Sequence, residues 1–206
     1  HVGSAGWLVE HYNVPLYMSR AEYLMCRVLV ADTGRPAPEA GVEFYRRAGF
    51  DETALQRYRD KFGIFGKAVY SMPDAYRRIY GGDRFTFGDT EWLAVETSGH
   101  CPEHISFFDE DRNLFIAGDQ LLPTISSNVS VWPTEPEADP LGHWIRSCRK
   151  LIDLLDDDTL VLPSHGKPFR GAPERLQALI DEHDEHLNGL QTPCQSPKRC
   201  IDTFEL

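Results

Sequence analysis

Ser98-Gly99-His100-Cys101-Pro102-Glu103-His104 sets two histidines, a glycine and a proline directly behind the apolar run Trp92–Glu96. That run has the composition of a strand. Two later stretches repeat the arrangement. Ile116-Ala117-Gly118-Asp119 ends the run from Leu114, and Val161-Leu162-Pro163-Ser164-His165-Gly166 ends the run from Leu160. Each places a metal-capable side chain at a strand end, next to glycine or proline. Strand ends are rigid supports, and the loops that leave them can bring ligands to one point. Imidazole and carboxylate are the donors expected for Zn²⁺ and related borderline cations. The neighbouring glycines are expected to let backbone and metal approach closely. One histidine of this kind is weak evidence, because most histidines are surface or hydrogen-bonded residues. The ordered set Gly-His-x-Pro-x-His, Gly-Asp, Ser-His-Gly is far more specific.

Outward from these sites the chain reads as alternating strands and helices. Arg84–Phe87 and Trp92–Glu96 are strands separated by the turn Gly88-Asp89-Thr90, and His104–Phe108 and Leu114–Ala117 form a hairpin through Asp109–Asn113. Asp139-Pro140 opens an amphipathic helix with Leu141, Trp144, Ile145, Cys148, Leu151, Ile152 and Leu155 at helical spacing. A last long helix runs from about Pro173 to Leu190. Upstream, Gly3–Tyr12 reads as a short helix and Val14–Tyr17 as a strand. Ser19 and Glu22 form a Ser-x-x-Glu capping box for a helix that buries Tyr23, Leu24, Val28 and Leu29. Asp51 is the N-cap of another helix. Residues 19–80 thus read as a helical insertion or lid. Its aromatics, Phe44, Tyr45, Phe50, Tyr58 and Phe62 among them, either line an apolar pocket or pack the helices together, and packing is the commoner use. Ser196-Pro197 starts a further helix with Cys200, Ile201 and Phe204 on its apolar face, so residues 191–206 read as the beginning of a C-terminal helical appendage to a domain spanning 1–190.

The three strand-end sites resemble the second half of the metallo-β-lactamase superfamily, near its glyoxalase II-like branch. In that family a His-x-His-x-Asp-His motif precedes a helix with small residues at its start. His1-Val2-Gly3-Ser4-Ala5-Gly6 resembles the last histidine of the motif followed by that helix. The resemblance implies an α/β fold, the αββα sandwich, of which this chain supplies the second sheet and the helical insertion while the N-terminal strands are missing from it. It implies a dinuclear centre of two divalent ions, foremost zinc, with Fe and Mn as alternatives. His100 corresponds to a ligand of the first metal and Asp119 to the bridging, catalytic carboxylate. His165 and His1 correspond to ligands of the second metal. The motif's earlier histidines and aspartate have no counterpart in the chain, so both shells are expected to be incomplete and the chain alone inactive.

The reaction implied by the resemblance is attack of a metal-bound hydroxide on an ester, thioester or related acyl carbonyl. Around the ligands, His104 and Glu103 are candidates for orienting hydrogen bonds, and Ser126, Asn128 and Trp132 for contact with substrate. Ser164 lacks a Gly-x-Ser-x-Gly elbow and is rejected as a nucleophile. His11, His143, His183 and His186 lie on helices without strand-end support. A different class of function is a binding or sensing module on the same scaffold; another is a di-iron redox protein, for which no flavin-binding segment is present.

Composition narrows the partners. A formal net charge of -11 disfavours nucleic acid. No run of about 18 apolar residues suggests a membrane span. The cysteines, Cys26, Cys101, Cys148, Cys194 and Cys200, are odd in number and irregularly spaced, which argues against a disulfide framework and for a reduced, cytoplasmic protein, although Cys194 and Cys200 are close enough in sequence to pair. The expected partner is a small acyl substrate, with a homodimer left open.

Overall fold

The computed structural model describes residues 2–204. The chain begins with α1 (Ala5–Tyr12), the short strand β1 (Tyr17–Met18), α2 (Arg20–Ala31), α3 (Glu39–Arg47), α4 (Glu52–Lys61), a 3-10 helix at Phe65–Ala68 and β2 (Arg77–Arg78). β1 and β2 pair in parallel, Tyr17 opposite Arg77, so the helical segment leaves and returns at one place. The sheet follows: β3 (Arg84–Phe87), β4 (Thr90–Thr97), β5 (His104–Asp109), β6 (Leu114–Gly118), then α5 (Pro140–Leu154), β7 (Leu160–Pro163) and α6 (Ala172–Gln191).

The five strands lie in the order β3-β4-β5-β6-β7. β3 through β6 pair antiparallel, whereas β6 and β7 are parallel, with α5 in the crossover between them. These directions have one consequence for the site. The C-terminal ends of β4, β6 and β7 and the N-terminal end of β5 all fall on the same edge of the sheet. His100, His104, Asp119 and His165 therefore leave the sheet at one end.

Register decides which side chains meet the helices. Phe108 opposes Phe115, and Phe115 opposes Val161, so these residues share a face with Val95 and Ala117. That face packs on Trp144, Cys148 and Leu151 of α5 and Leu176, Leu179 and Ile180 of α6. Phe115 and Leu151 are fully buried; each burial contributes roughly 1.5–3 kcal/mol. α5 starts where the sequence predicts: Asp139 accepts the Gly142 N–H at 2.9 Å, and Pro140 occupies the first turn, where its missing N–H costs nothing. The opposite face carries Phe85, Phe107 and Ile116, with Phe85 and Phe107 edge to face at 6.0 Å.

The helical segment between β1 and β2 has a small core of Tyr23, Cys26 and Met72, with Tyr76 stacked on Tyr23 at 4.0 Å. Its aromatics Tyr45, Phe50, Tyr58 and Phe62 pack on one another, which makes them helix-packing residues rather than a pocket lining. Asp51 caps α4 as predicted, accepting the Ala54 N–H at 2.8 Å.

Four local expectations change. β1 is Tyr17–Met18, not Val14–Tyr17, because its partner is the two-residue β2. α2 buries Tyr23 and Cys26, whereas Leu24 and Val28 are exposed: the helix turns toward Met72 and Tyr76. The Ser19–Glu22 capping box does not form, because both side chains bond to Glu103 instead. Ser196 does not start a helix. Arg199 caps a short 3-10 helix at Cys200–Thr203, held by Asp202, and the Ile201 N–H donates to the Ala48 carbonyl at 2.9 Å, so this tail folds back onto the end of α3. Cys194 and Cys200 are both free thiols. Among the described residues no helix is long and apolar enough to cross a membrane.

Candidate metal centre

The loop bearing His100 is fixed from three sides. At its start, Ser147 on α5 accepts the Ser98 N–H and donates to the Ser98 carbonyl, both at 2.9 Å. Gly99, with φ at +116°, passes against the backbone of Trp144 so closely that a Cβ would lie 2.3–2.6 Å from Trp144 atoms. Beyond the turn, the Asn128 carbonyl lies 2.9 Å from His100 Nδ1. A carbonyl can only accept, so Nδ1 carries a proton, and Nε2 is the nitrogen turned toward Asp119. This is the arrangement by which ligand histidines are oriented.

Asp119 stands at the end of β6, 16% exposed, between two imidazoles. Its Oδ2 lies 3.4 Å from His100 Nε2. Its Oδ1 lies 3.4 Å from His165 Nε2, on the open side of the cluster, where His165 is 59% exposed. Ser164 Oγ donates to Oδ1, and Ser127 Oγ donates to the Asp119 main-chain carbonyl. The β6 and β7 ends are joined by the Ser164 N–H, which donates to the Gly118 carbonyl at 3.0 Å. Gly118 has φ at +57°, and a Cβ there would meet His104 Nε2 at 2.6 Å. The glycines before His100 and Asp119 thus make room for the protein neighbours Trp144 and His104.

The spacing can be tested against cation chemistry. Two donors about 2.0–2.1 Å from one tetrahedral Zn²⁺ stand about 3.3 Å apart. Both imidazole–carboxylate separations, 3.4 Å, match that edge, and each uses a different carboxylate oxygen. Two imidazoles and a carboxylate are donors of the kind that borderline divalent cations take. Among the described residues no group of three or more His, Cys, Asp or Glu is arranged to hold a metal ion, so the fit extends to pairs of donors, two per edge. His1, the remaining ligand expected from the sequence, lies outside the described residues.

The other expected site residues divide. His104 is beside the cluster: burial, aided by His100, pushes its pKa down to about 4 against the opposing pull of Asp119, and its Nδ1 lies 3.4 Å from Ser106 Oγ. Glu103 directs its carboxylate to the first turn of α2, accepting the Ala21 N–H at 2.8 Å. Asn128 touches His100 through its main chain, while its side chain accepts from Ser130. Ser126 Oγ lies 3.1 Å from His183 Nε2, which brings a helix histidine set aside in the sequence next to the loop after Asp119. Trp132 is 54% exposed. Cys101, next to His100, has its thiol pushed up by burial and then by Glu22. Sequence reading missed Ser127, Ser164 and the Asn128 carbonyl as neighbours of the cluster. Ser164 was visible, directly before His165, but only its unsuitability as a nucleophile was read.

Residues 1–165 match the family model described as Metallo-beta-lactamase superfamily. A beta-lactamase domain protein from Burkholderia ambifaria is similar in structure at a TM-score of 0.87 and 35% identity, over 98% of this chain and 57% of that one. A metallo-beta-lactamase family protein from Thermus thermophilus shares the fold at a TM-score of 0.78 and 22% identity, over 98% of this chain and 63% of that one. In sequence, the chain is 30% identical to a hydroxyacylglutathione hydrolase of Rhizobium johnstonii over 139 residues, 66% of this chain and 50% of that protein. The chain thus spans between half and two thirds of the length of these relatives.

Proposed function

The chain belongs to the metallo-β-lactamase superfamily, and on that premise we propose that it forms the Asp119 side of a metal-dependent hydrolase acting on ester, thioester or related acyl bonds. The observation that carries this reading is the Asp119 carboxylate with one oxygen 3.4 Å from His100 Nε2 and the other 3.4 Å from His165 Nε2. His100 with Oδ2, and His165 with Oδ1, would each contribute two donors to a cation. Bound divalent ions supply Lewis acidity toward an acyl oxygen and bring the pKa of water down toward about 7. The similarity to a hydroxyacylglutathione hydrolase favours acyl substrates.

The chain's own residues preorganise the centre. The Asn128 carbonyl holds the His100 ring with Nε2 toward Asp119. Ser164 and Ser127 fix the Asp119 carboxylate and its main chain. Each such hydrogen bond to a ligand is typically worth about 10–100-fold in metal affinity or activity. Burial keeps His104 neutral at pH 7, so it adds no positive charge that would repel a cation. The carboxylate is the one group shared by both edges, and its loss should be the most damaging single change.

The test is metal analysis of the full-length protein together with turnover of an ester and thioester panel, for the unsubstituted protein and for Asp119→Ala. The expected result is bound divalent metal and acyl hydrolysis in the first, and loss of both in the second. Undiminished turnover by Asp119→Ala would remove Asp119 from the role assigned to it.

A further inference from the structure

Glu103 joins two parts of the molecule that are far apart in sequence. All of its polar groups are engaged by the helical insertion. Its carboxylate accepts the Ala21 N–H at 2.8 Å through Oε2, and its main-chain carbonyl accepts from Ser19 Oγ at 2.6 Å. Its N–H donates to Glu22 Oε1 at 3.2 Å, and Arg78 stands 3.9 Å from its other carboxylate oxygen. A capping box normally satisfies the first turn of a helix from within, through its own Ser and Glu. Here Ser19 and Glu22 both reach across to Glu103, and the Glu103 carboxylate takes their place at the N-terminus of α2, where a negative charge is favoured. Ser19 is 2% exposed, so its bond to Glu103 is shielded from water. Glu103 lies three residues after His100 and one before His104, at the start of β5.

We infer that Glu103 is a positioning residue that locks the helical insertion to the loop carrying His100. The insertion is then a wall whose placement sets that loop, not a lid that moves independently of it. The inference rests on the reading of His100 as a metal ligand for its functional consequence, but the coupling itself does not.

The experiment compares the full-length protein with E103A and E103Q. Co²⁺ is the probe, read by titration and by its ligand-field spectrum, and amide hydrogen exchange is followed in residues 19–24 and 98–104. E103A should raise exchange in both segments together, weaken Co²⁺ binding about tenfold and alter the spectrum. E103Q keeps an oxygen to accept the Ala21 N–H and should stay within about twofold of the unsubstituted protein in affinity, with its spectrum. A general loss of stability would instead raise exchange throughout the chain and leave the Co²⁺ spectrum of the folded protein unchanged. Faster exchange of E103A confined to 19–24, with Co²⁺ titration unchanged, overturns the inference. If the unsubstituted protein takes up no Co²⁺, the metal reading fails, and the coupling is judged by whether both segments respond together. Should E103A not fold, S19A removes one bond of the set from the other side; unchanged exchange in 98–104 then overturns the coupling.

Discussion

Gly99→Ala tests how tightly the loop before His100 is held. Two costs follow from the structure. The backbone at φ +116° is unfavourable for any residue with a Cβ, a penalty of about 1–3 kcal/mol. The added methyl would also lie 2.3–2.6 Å from Trp144 Cβ, Cα and N, and because most of these are α5 main chain or its root, no flexible side chain can give way. Overpacking of this kind costs about 1–3 kcal/mol more. The total, about 2–6 kcal/mol, is a large part of the usual 5–15 kcal/mol. For a chain of this size that lowers the midpoint of thermal unfolding by about 4–24 °C. Gly82→Ala is the control, since Gly82 also has positive φ, +92°, but a methyl group placed there would find nothing within 4 Å. It should show only the backbone cost. Urea unfolding of both variants measures the difference. If Gly99→Ala loses no more stability than Gly82→Ala, the close approach to Trp144 is not what requires glycine there.

Replacing Asp139 with Ala removes the N-cap of α5 and should cost about 1 kcal/mol in urea unfolding, without change in the transition slope. Timed iodoacetamide labelling with mass spectrometry should find Cys194 and Cys200 modified first, since both are exposed; Cys26 and Cys148 should react only on unfolding, because burial raises both thiols, Cys148 to about 12. His104 should make the metal-free protein acid-sensitive. Above pH 6.5 it is neutral in both folded and unfolded chains. Between 6.5 and about 4 the unfolded chain binds a proton that the folded one does not, so stability falls through that window by roughly 3 kcal/mol. Urea midpoints from pH 7 to 4 should show this slope, and H104Q should lack it; an identical slope in H104Q would refute the assignment.

Much of the fold was legible because it is written in local signals. The turn at Gly88-Asp89, the hairpin Asp109–Asn113, the Asp139-Pro140 helix start and the Asp51 cap each need only neighbouring residues, and each forms as read. Local reading failed where a distant partner displaced a local one. Ser19 and Glu22 have the spacing of a capping box, but Glu103, more than eighty residues away, offers better-placed groups. Leu24 and Val28 have core spacing, but Met72 and Tyr76 pack on the other side of α2.

The site shows the same division. Chain order alone established that His100, Asp119 and His165 each follow a strand beside a glycine or proline, because a strand and its terminating turn are properties of consecutive residues. That these ends share one edge of the sheet, that the two imidazoles flank the Asp119 carboxylate, and that Asn128, Ser127 and Ser164 hold them there was decided only in three dimensions. Strand direction and pairing arise from burying Phe108, Phe115 and Val161 against α5 and α6, a contact between segments far apart in the chain, and no single stretch of sequence contains it.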